Sequence, residues 1–334
     1  MKKRNIGNLS VSEIGMGCMG FSHGYGQIPD EQYSMEAIRD AYHYGCTFFD
    51  TAEVYGPNLL PENKGHNERI VGEAIKEFRK DVVLATKLHL GTDEILGKRT
   101  VYEAVRTHLE GSLKRLQTDY ADLYYLHRIN PDIPVEDVAD AMGQLIKEGL
   151  IRGWGLSQVD VDTIEAAHKV TPVTAVQNIY NMVERGVEDK VIPFCEKNGI
   201  GLVAFSPTSS GLLSGKVGVN TEFAKVDDVR NFVPQLTKEN IEGNQPIIDL
   251  LARFAGEMDV TPVQISLAWM VKKYPNVVPI PGSKNKGRIL ENLKSSEMEL
   301  SDAFLAELEE ELAKHEIYGH RGFVEDQNTR FIRK

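Results

Sequence analysis

Only three cysteines occur in the 334 residues: Cys18, Cys46 and Cys195. An odd number without metal-type spacing argues against a disulfide framework and against a zinc site, so all three are expected to be small buried filler. Long apolar runs are missing as well, and none approaches the ~18 residues that a bilayer-spanning helix needs. The basic start "MKKRNIGNLSVSEIGMG" has no apolar stretch behind it, because Asn5, Asn8, Ser10, Ser12 and Glu13 interrupt it. No secretory leader is expected, and the chain reads as cytoplasmic. Basic charge is in short supply: 38 Lys and Arg against 49 Asp and Glu give a net charge of -11. Neutralising phosphates takes a broad basic surface, so neither nucleic acid nor an anionic membrane is an expected partner. An anionic ligand would need a local basic patch. No Gly/Ser-rich or Pro-rich linker divides the chain, and one domain spanning 1–334 is expected.

What is present is an alternation of short β-rich runs with amphipathic stretches. The candidate strands are "EIGMG" near Ile14, "TFFDT" near Phe48, "VVLATK" from Val82, "DLYYLH" from Asp122, "RGWGLS" from Arg152, "TAVQN" from Thr174, "GLVAFSP" from Gly201 and "VVPIPGS" from Val277. Helix-like segments lie between them. In "DEQYSMEAIRDAYHYG" Met35, Ile38, Ala41 and Tyr42 share a face, and Gly45 supplies the stop. "NERIVGEAIKEF", "VYEAVRTHLEGSLKRL", "VEDVADAMGQLIKEG", "DKVIPFCEKNG", "TPVQISLAWMVKKY" and "KGRILENLK" read similarly. Strands alternating with helices favour a closed (β/α)8 barrel preceded by a short N-terminal hairpin, with a doubly wound open sheet as the alternative. The segment from Thr208 to about Asn244 is the longest without a strand, and a loop of that length is expected to overhang the site. The C-terminal tail is expected over the barrel mouth.

In such a barrel the chemistry sits at the C-terminal strand ends. Asp50 ends one strand with Tyr55 in the loop after it, followed by Lys87, His127, Ser157 with Gln158, Gln177 with Asn178, and Ser206 at successive ends. A tyrosine hydroxyl is a poor acid at neutral pH unless a cation stabilises its anion. Lys87 could be that cation, Asp50 could hold Lys87 charged, and His127 could orient a substrate oxygen. Taken singly, each residue has an ordinary role: a helix cap, a rim aromatic, a solvated charge, a structural histidine. Four at successive strand ends point to a site.

These blocks also resemble the aldo-keto reductase family over essentially the full length. "GCTFFDTAEVYG" followed by "NERIVGEAI", the lysine strand "ATK", "SLKRLQTDYADLYYLH", "IRGWGLS", "VQNIYN", "VAFSP" and "PIPGSKNKGRILENL" occur in the family's order. The resemblance implies an NADP(H)-dependent reduction of aldehydes or ketones to alcohols, an oxidoreductase acting on CH-OH donors. It makes Tyr55 the general acid, with Asp50, Lys87 and His127 supporting it. It places Ser157, Gln158 and Gln177 at the nicotinamide carboxamide and Phe205 against the nicotinamide ring. Ser206, Pro207, Gly211 and Leu213 would lie over the pyrophosphate, and Gly282, Ser283, Lys284, Arg288, Glu291 and Asn292 at the adenosine end. Gln158 stands where the family most often has Asn, and "TSS" from Thr208 replaces a more usual Leu-Gly run.

The basic trio Lys284, Lys286 and Arg288 beside Ser283 is the local patch that an adenosine 2′-phosphate would need, which favours NADP(H) over NAD(H). His23 and Tyr25, the loop "HLGTDEILGKRT" and the tail "YGHRGFVEDQNTRFIRK" are candidates for lining the substrate pocket, and small or aromatic aldehydes are the expected substrates. Two other functions compete. A regulatory or redox-sensing module would keep the cofactor site with little turnover. A metal-dependent hydrolase would need paired ligands at strand ends, and His127 is the only histidine at one.

Overall fold

The apolar runs become strands wherever β-branched and aromatic residues are bounded by turn formers. The structure is a computed structural model and describes residues 1–95 and 99–321. Strands β1 (Lys3–Ile6) and β2 (Leu9–Ser12) form an antiparallel hairpin. They are followed by β3 (Met16–Gly17), β4 (Phe48–Asp50), β5 (Val83–Leu88), β6 (Ala121–Leu126), β7 (Ile151–Ser157), β8 (Ala175–Ile179), β9 (Gly201–Phe205) and β10 (Val277–Pro279). From β3 to β10 every neighbour pair is parallel and the order in the sheet is the order in the chain. A parallel bridge from Gly17 to Gly282 and the bond from Gly15 N to Pro279 O (2.9 Å) join the two edges, so the sheet closes into a (β/α)8 barrel.

The helices are α1 (Glu31–His43), α2 (His66–Ile75), α3 (Thr92–Ile95), α4 (Val101–Leu116), α5 (Val135–Lys147), α6 (Val161–Val170), α7 (Val191–Lys197), α8 (Lys238–Glu257), α9 (Pro262–Lys273), α10 (Lys286–Lys294) and α11 (Asp302–Leu312). Local chemistry sets several of their starts. Asp30 caps α1 by accepting from the Gln32 and Tyr33 amides, and Thr100 with Glu103 forms a capping box on α4. Thr261, Pro262 and Gln264 do the same for α9. The buried face of α1 is Ser34, Ala37, Ile38 and Ala41; Met35 and Tyr42, placed on it from periodicity, are only partly buried. Helices α3, α6, α8 and α11 have no counterpart among the sequence-predicted segments; α3 lies in the stretch read as a loop after Lys87. No described helix is long and apolar enough to cross a membrane.

The connections differ from expectation at one point. The segment 208–244 contains no strand, as expected, but it holds single helical turns at Ser209–Ser214, Val229–Phe232 and Pro234–Leu236, and its last residues already belong to α8. The run Gly15-Met16-Gly17-Cys18-Met19-Gly20 has the glycine spacing of a dinucleotide-binding turn, yet only a single turn follows it, and α1 starts at Glu31. Its first two glycines serve closure: a Cβ on Gly15 would lie 2.7 Å from the Phe48 ring, and one on Gly17 2.9 Å from Ile280 O. The tail from residue 322 onward, with Phe323 and Phe331, and residues 96–98 of the loop after Lys87, lie outside the described residues.

Strand parity decides what faces the axis. Phe48, Val83, Ala85, Leu123, Tyr125, Ala175, Val203, Val278 and Ile280 pack inside the barrel with Ile6, Leu9 and Val11 of the hairpin. Leu84, Leu126, Trp154, Leu156, Val176, Leu202 and Ala204 face the helices instead. Gly155 faces inward, where any Cβ would lie 2.6 Å from the Tyr125 ring and 2.3 Å from Ala175 O. Gly155→Ala is therefore expected to destabilise by about 2 kcal/mol or more, the scale of core overpacking. The check is the urea midpoint at unchanged m-value; an unshifted midpoint would show that the Tyr125 ring moves aside freely.

Candidate active site

The inward parity of each strand, continued to its C-terminal end, selects the polar residues of the mouth. Asp50 is two residues beyond Phe48, Lys87 two beyond Ala85, His127 two beyond Tyr125, and Gln177 two beyond Ala175. Ser157 lies directly opposite Gln177 in register, and Phe205 ends β9. Period-two alternation thus brings six of the sequence-predicted residues to one end of one barrel.

Tyr55 reaches the mouth from a loop. Its amide donates to Ala52 O (3.2 Å) and its carbonyl accepts from Asn67 N (3.0 Å), while Glu53 N is held by Lys87 O (3.1 Å). Lys87 is fully buried and its ammonium has three partners: the Asp50 carboxylate, Thr51 O at 2.7 Å and the Tyr55 hydroxyl at 3.4 Å. The other Asp50 oxygen accepts from Gln177 Nε2 at 2.8 Å. The Tyr55 and His127 rings meet edge to face, centroids 5.7 Å apart.

These contacts set the charges. Burial by itself lowers the Lys87 pKa, but Asp50 and then Tyr55 overcome it and hold the ammonium above its usual value. Burial pushes Asp50 upward, opposed by Lys87 and Gln177. With a donor on each carboxylate oxygen, the ionised form is the one the pocket accommodates. For Tyr55 burial dominates and raises the hydroxyl above its usual value, while Lys87 pulls it down. The expectation that Lys87 makes Tyr55 more acidic holds for the direction of the Lys87 effect and not for the net result. Burial, with Arg128 and Lys87 nearby, drives His127 well below its normal pKa, so it is a neutral imidazole at physiological pH.

The expected cofactor residues divide. Gln158, at φ 59°, has its Oε1 engaged by Ile179 N (3.0 Å), and Gln177 is engaged by Asp50. The hydroxyls of Ser206 and Ser209 are buried without a protein partner among the described residues, which fits a bound polar group such as a pyrophosphate. Pro207 and Gly211 flank them, whereas the Leu213 side chain is packed into the hydrophobic core. At the adenosine end the basic trio is not one cluster. Lys286 pairs with Glu36 (2.8 Å) and Asp40 (3.4 Å) of α1, and Lys284 donates to Tyr25 O (2.7 Å) and Gln27 O. The Arg288 side chain is exposed in the first turn of α10 with no protein partner among the described residues; Glu291 accepts from Thr261 (3.0 Å) and Asn292 is buried.

His23 and Tyr25 do not join the tetrad. The His23 imidazole meets the Asp227 carboxylate, and Tyr25 bridges to Asp228. Asp227 also accepts from Gly24 N (3.3 Å) and Asn58 N (3.2 Å), so the segment after β9 crosses the mouth and is tied down on its far side.

Sequence reasoning missed two further groups. Arg128, next to His127, donates through Nη1 to His127 O and to Ser157 Oγ (3.0 Å). A cation one residue beyond an inward-facing strand end was the available signal. Buried Glu53 accepts from His89 N (3.0 Å) and from His108 Nδ1 (2.8 Å), while His108 Nε2 reaches Glu94 (2.7 Å). This braces the wall carrying His89, whose ring lies 4.6 Å from that of His127. Among the described residues no group of three His, Cys, Asp or Glu side chains is placed to hold a metal ion.

The model of the Aldo/keto reductase family matches residues 13–313. A protein of Glycine max named probable aldo-keto reductase 1 is 35% identical over 319 residues, covering 94% of this chain and 89% of that one. Among solved structures, the glycerol dehydrogenase of Gluconobacter oxydans superposes with a TM-score of 0.81 at 26% identity, covering 94% of this chain and 95% of that one. An aldo/keto reductase of Klebsiella pneumoniae in complex with NADP and acetate superposes at 0.70 with 27% identity, covering 92% and 94%.

Proposed function

We propose the function from the premise that the chain belongs to the aldo/keto reductase family: it is an NADPH-dependent oxidoreductase that reduces aldehydes or ketones to alcohols, with Tyr55 as the proton donor. The observation that carries this reading is the fully buried Lys87, whose ammonium reaches both Asp50 and the Tyr55 hydroxyl while the His127 ring stands edge-on to Tyr55.

Bound NADPH supplies the hydride that adds to the carbonyl carbon. The protein's own residues manage the oxygen. His127, being neutral, donates a hydrogen bond without competing for the proton, and this orients and polarises the carbonyl. Tyr55 gives its proton to the oxygen as negative charge develops there, so the product is a neutral alcohol. The tyrosinate left behind faces the Lys87 ammonium, and Asp50 keeps that ammonium charged. Afterwards Tyr55 regains a proton from solvent. Ser157, Gln158, Gln177 and Phe205 would hold the nicotinamide end, Ser206, Pro207 and Gly211 the pyrophosphate, and Gly282, Ser283, Lys284, Arg288 and Asn292 the adenosine end. A screen of aldehydes, dicarbonyls, aryl ketones and sugars, read as loss of NADPH absorbance, tests the reading; no turnover with any of them would overturn it.

Support for NADP(H) over NAD(H) comes from Arg288, exposed and unpaired at the start of α10 while its neighbours are otherwise engaged. Structures of the Klebsiella relative hold NADP and NADPH. Arg288→Met should weaken NADPH binding by about 1.5 to 3 kcal/mol, the scale of a hydrogen bond to a charged group, and leave NADH binding nearly unchanged. Titrating both cofactors into both proteins decides it, since equal losses would mean that Arg288 does not read the 2′-phosphate.

A further inference from the structure

We propose that Arg128 recognises an anionic group on the substrate, so that the carbonyl compounds this site handles best carry a carboxylate as well as the reacting carbonyl. The inference rests on the reductase reading above.

Arg128 follows His127 just beyond the end of β6 and is partly buried. Of its five N–H donors, those on Nη1 go to His127 O and Ser157 Oγ. Nε and Nη2 have no protein partner among the described residues, and no carboxylate of those residues lies within ion-pair distance of the guanidinium. The charges around it leave it uncompensated. Lys87 and Asp50 neutralise one another. His127 and His89 are both held below their normal pKa, with Arg128 among the causes, and Tyr55 is neutral. The Glu53 carboxylate is spent on His108, Lys64 and the His89 amide. Among these groups Arg128 is the one charge left without a partner, in a protein whose net charge is -11.

Burying a cation without a counter-ion is unfavourable, and burial accordingly lowers the Arg128 pKa. A planar fork whose Nε and Nη2 edge is open matches the two oxygens of a carboxylate. Its position between His127, which orients the carbonyl, and Ser157 puts those donors in the same mouth as the reacting group. The same charge would draw anionic substrates into the mouth and select against neutral ones of equal size.

The experiment compares NADPH-dependent reduction of 4-formylbenzoate with that of its neutral methyl ester, by wild type, Arg128→Met and Arg128→Lys. Wild type should prefer the acid in kcat/KM. Arg128→Met should lower the acid-to-ester ratio by roughly 10- to 100-fold, mostly through KM, and Arg128→Lys should restore part of it. Because the methionine removes a partly buried unpaired charge, its thermal midpoint should equal or exceed that of wild type; a clear drop would assign Arg128 the structural task of tying His127 O to Ser157. An unchanged ratio, a wild type that prefers the ester, or equal losses on both substrates with weakened NADPH binding would overturn the proposal, the last by assigning Arg128 to the cofactor. Calorimetric binding of 4-(hydroxymethyl)benzoate to wild type and Arg128→Met reads the same contact without turnover. Absence of NADPH oxidation would thus sink the reductase reading, while this titration would still decide for or against Arg128.

Discussion

Replacing Tyr55 with Phe is expected to lower kcat for carbonyl reduction by about 10² to 10⁴-fold, the range that a positioned general acid contributes. The ring would stay where the Ala52 and Asn67 backbone bonds hold it, and its edge contact with His127 would remain. NADPH affinity should therefore stay near wild type, which separates lost proton donation from lost architecture. Stopped-flow single turnover with a saturating aldehyde measures the chemical step directly. Retention of more than a tenth of that rate would remove Tyr55 from the role of proton donor.

Lys87→Met is expected to have the next largest effect, in two separable ways. The first is on the proton inventory. Burial raises the Tyr55 pKa and Lys87 opposes this, so removing the ammonium moves the Tyr55 pKa further up. Alcohol oxidation needs the tyrosinate, so its rising limb should shift to higher pH. Reduction needs the protonated hydroxyl, so its falling limb should shift to higher pH as well. The rate itself should drop by about 10² to 10³-fold, the scale of one lost preorganised electrostatic contact.

The second effect is on folding. Asp50, 3% exposed, would be left with Gln177 as its remaining side-chain partner. Removing one partner of a buried pair costs about 3 to 5 kcal/mol. Much of that cost should be recovered in Lys87→Met/Asp50→Asn, which buries no unpaired charge. An active single mutant with an unshifted pH profile would reduce Lys87 to a structural role. A double mutant no more stable than the single one would show that the pair does not act as a charge pair.

The barrel was legible in the sequence because each strand is short, β-rich and bounded by Gly, Pro, Asn or Asp, and because parity along a strand is a local property. Phe48 with Asp50, Ala85 with Lys87 and Tyr125 with His127 are pairs two residues apart, so the neighbour packed in the barrel interior announces that the polar residue points the same way. In the sequence, position at a strand end singled out Asp50, Lys87 and His127, with Tyr55 in the loop after Asp50, as the proposed general-acid constellation. Helices α6, α8 and α11 were not predicted although α6 and α8 carry a local apolar face, such as Ile247, Ile248, Leu251, Phe254 and Ala255 of α8; Phe254 there packs edge to face on Phe304 of α11.

The tertiary structure alone decided which charges are spent on one another. Lys284, Lys286 and Arg288 look alike in sequence, yet one is held by two backbone carbonyls, one by the acids of α1, and the third is open. His23 reads as a pocket residue, yet its imidazole meets Asp227, and the Tyr25 backbone bridges Asp228 while Arg230 lies over the Tyr25 ring, all some two hundred positions away in the chain. Arg128 shows the reverse, an ordinary charge in the sequence and a partly buried one without a counter-ion in the fold. The reason is physical: period-two alternation sets which way a side chain points, whereas pairing, desolvation and the resulting pKa depend on groups that only chain closure brings within a few ångströms.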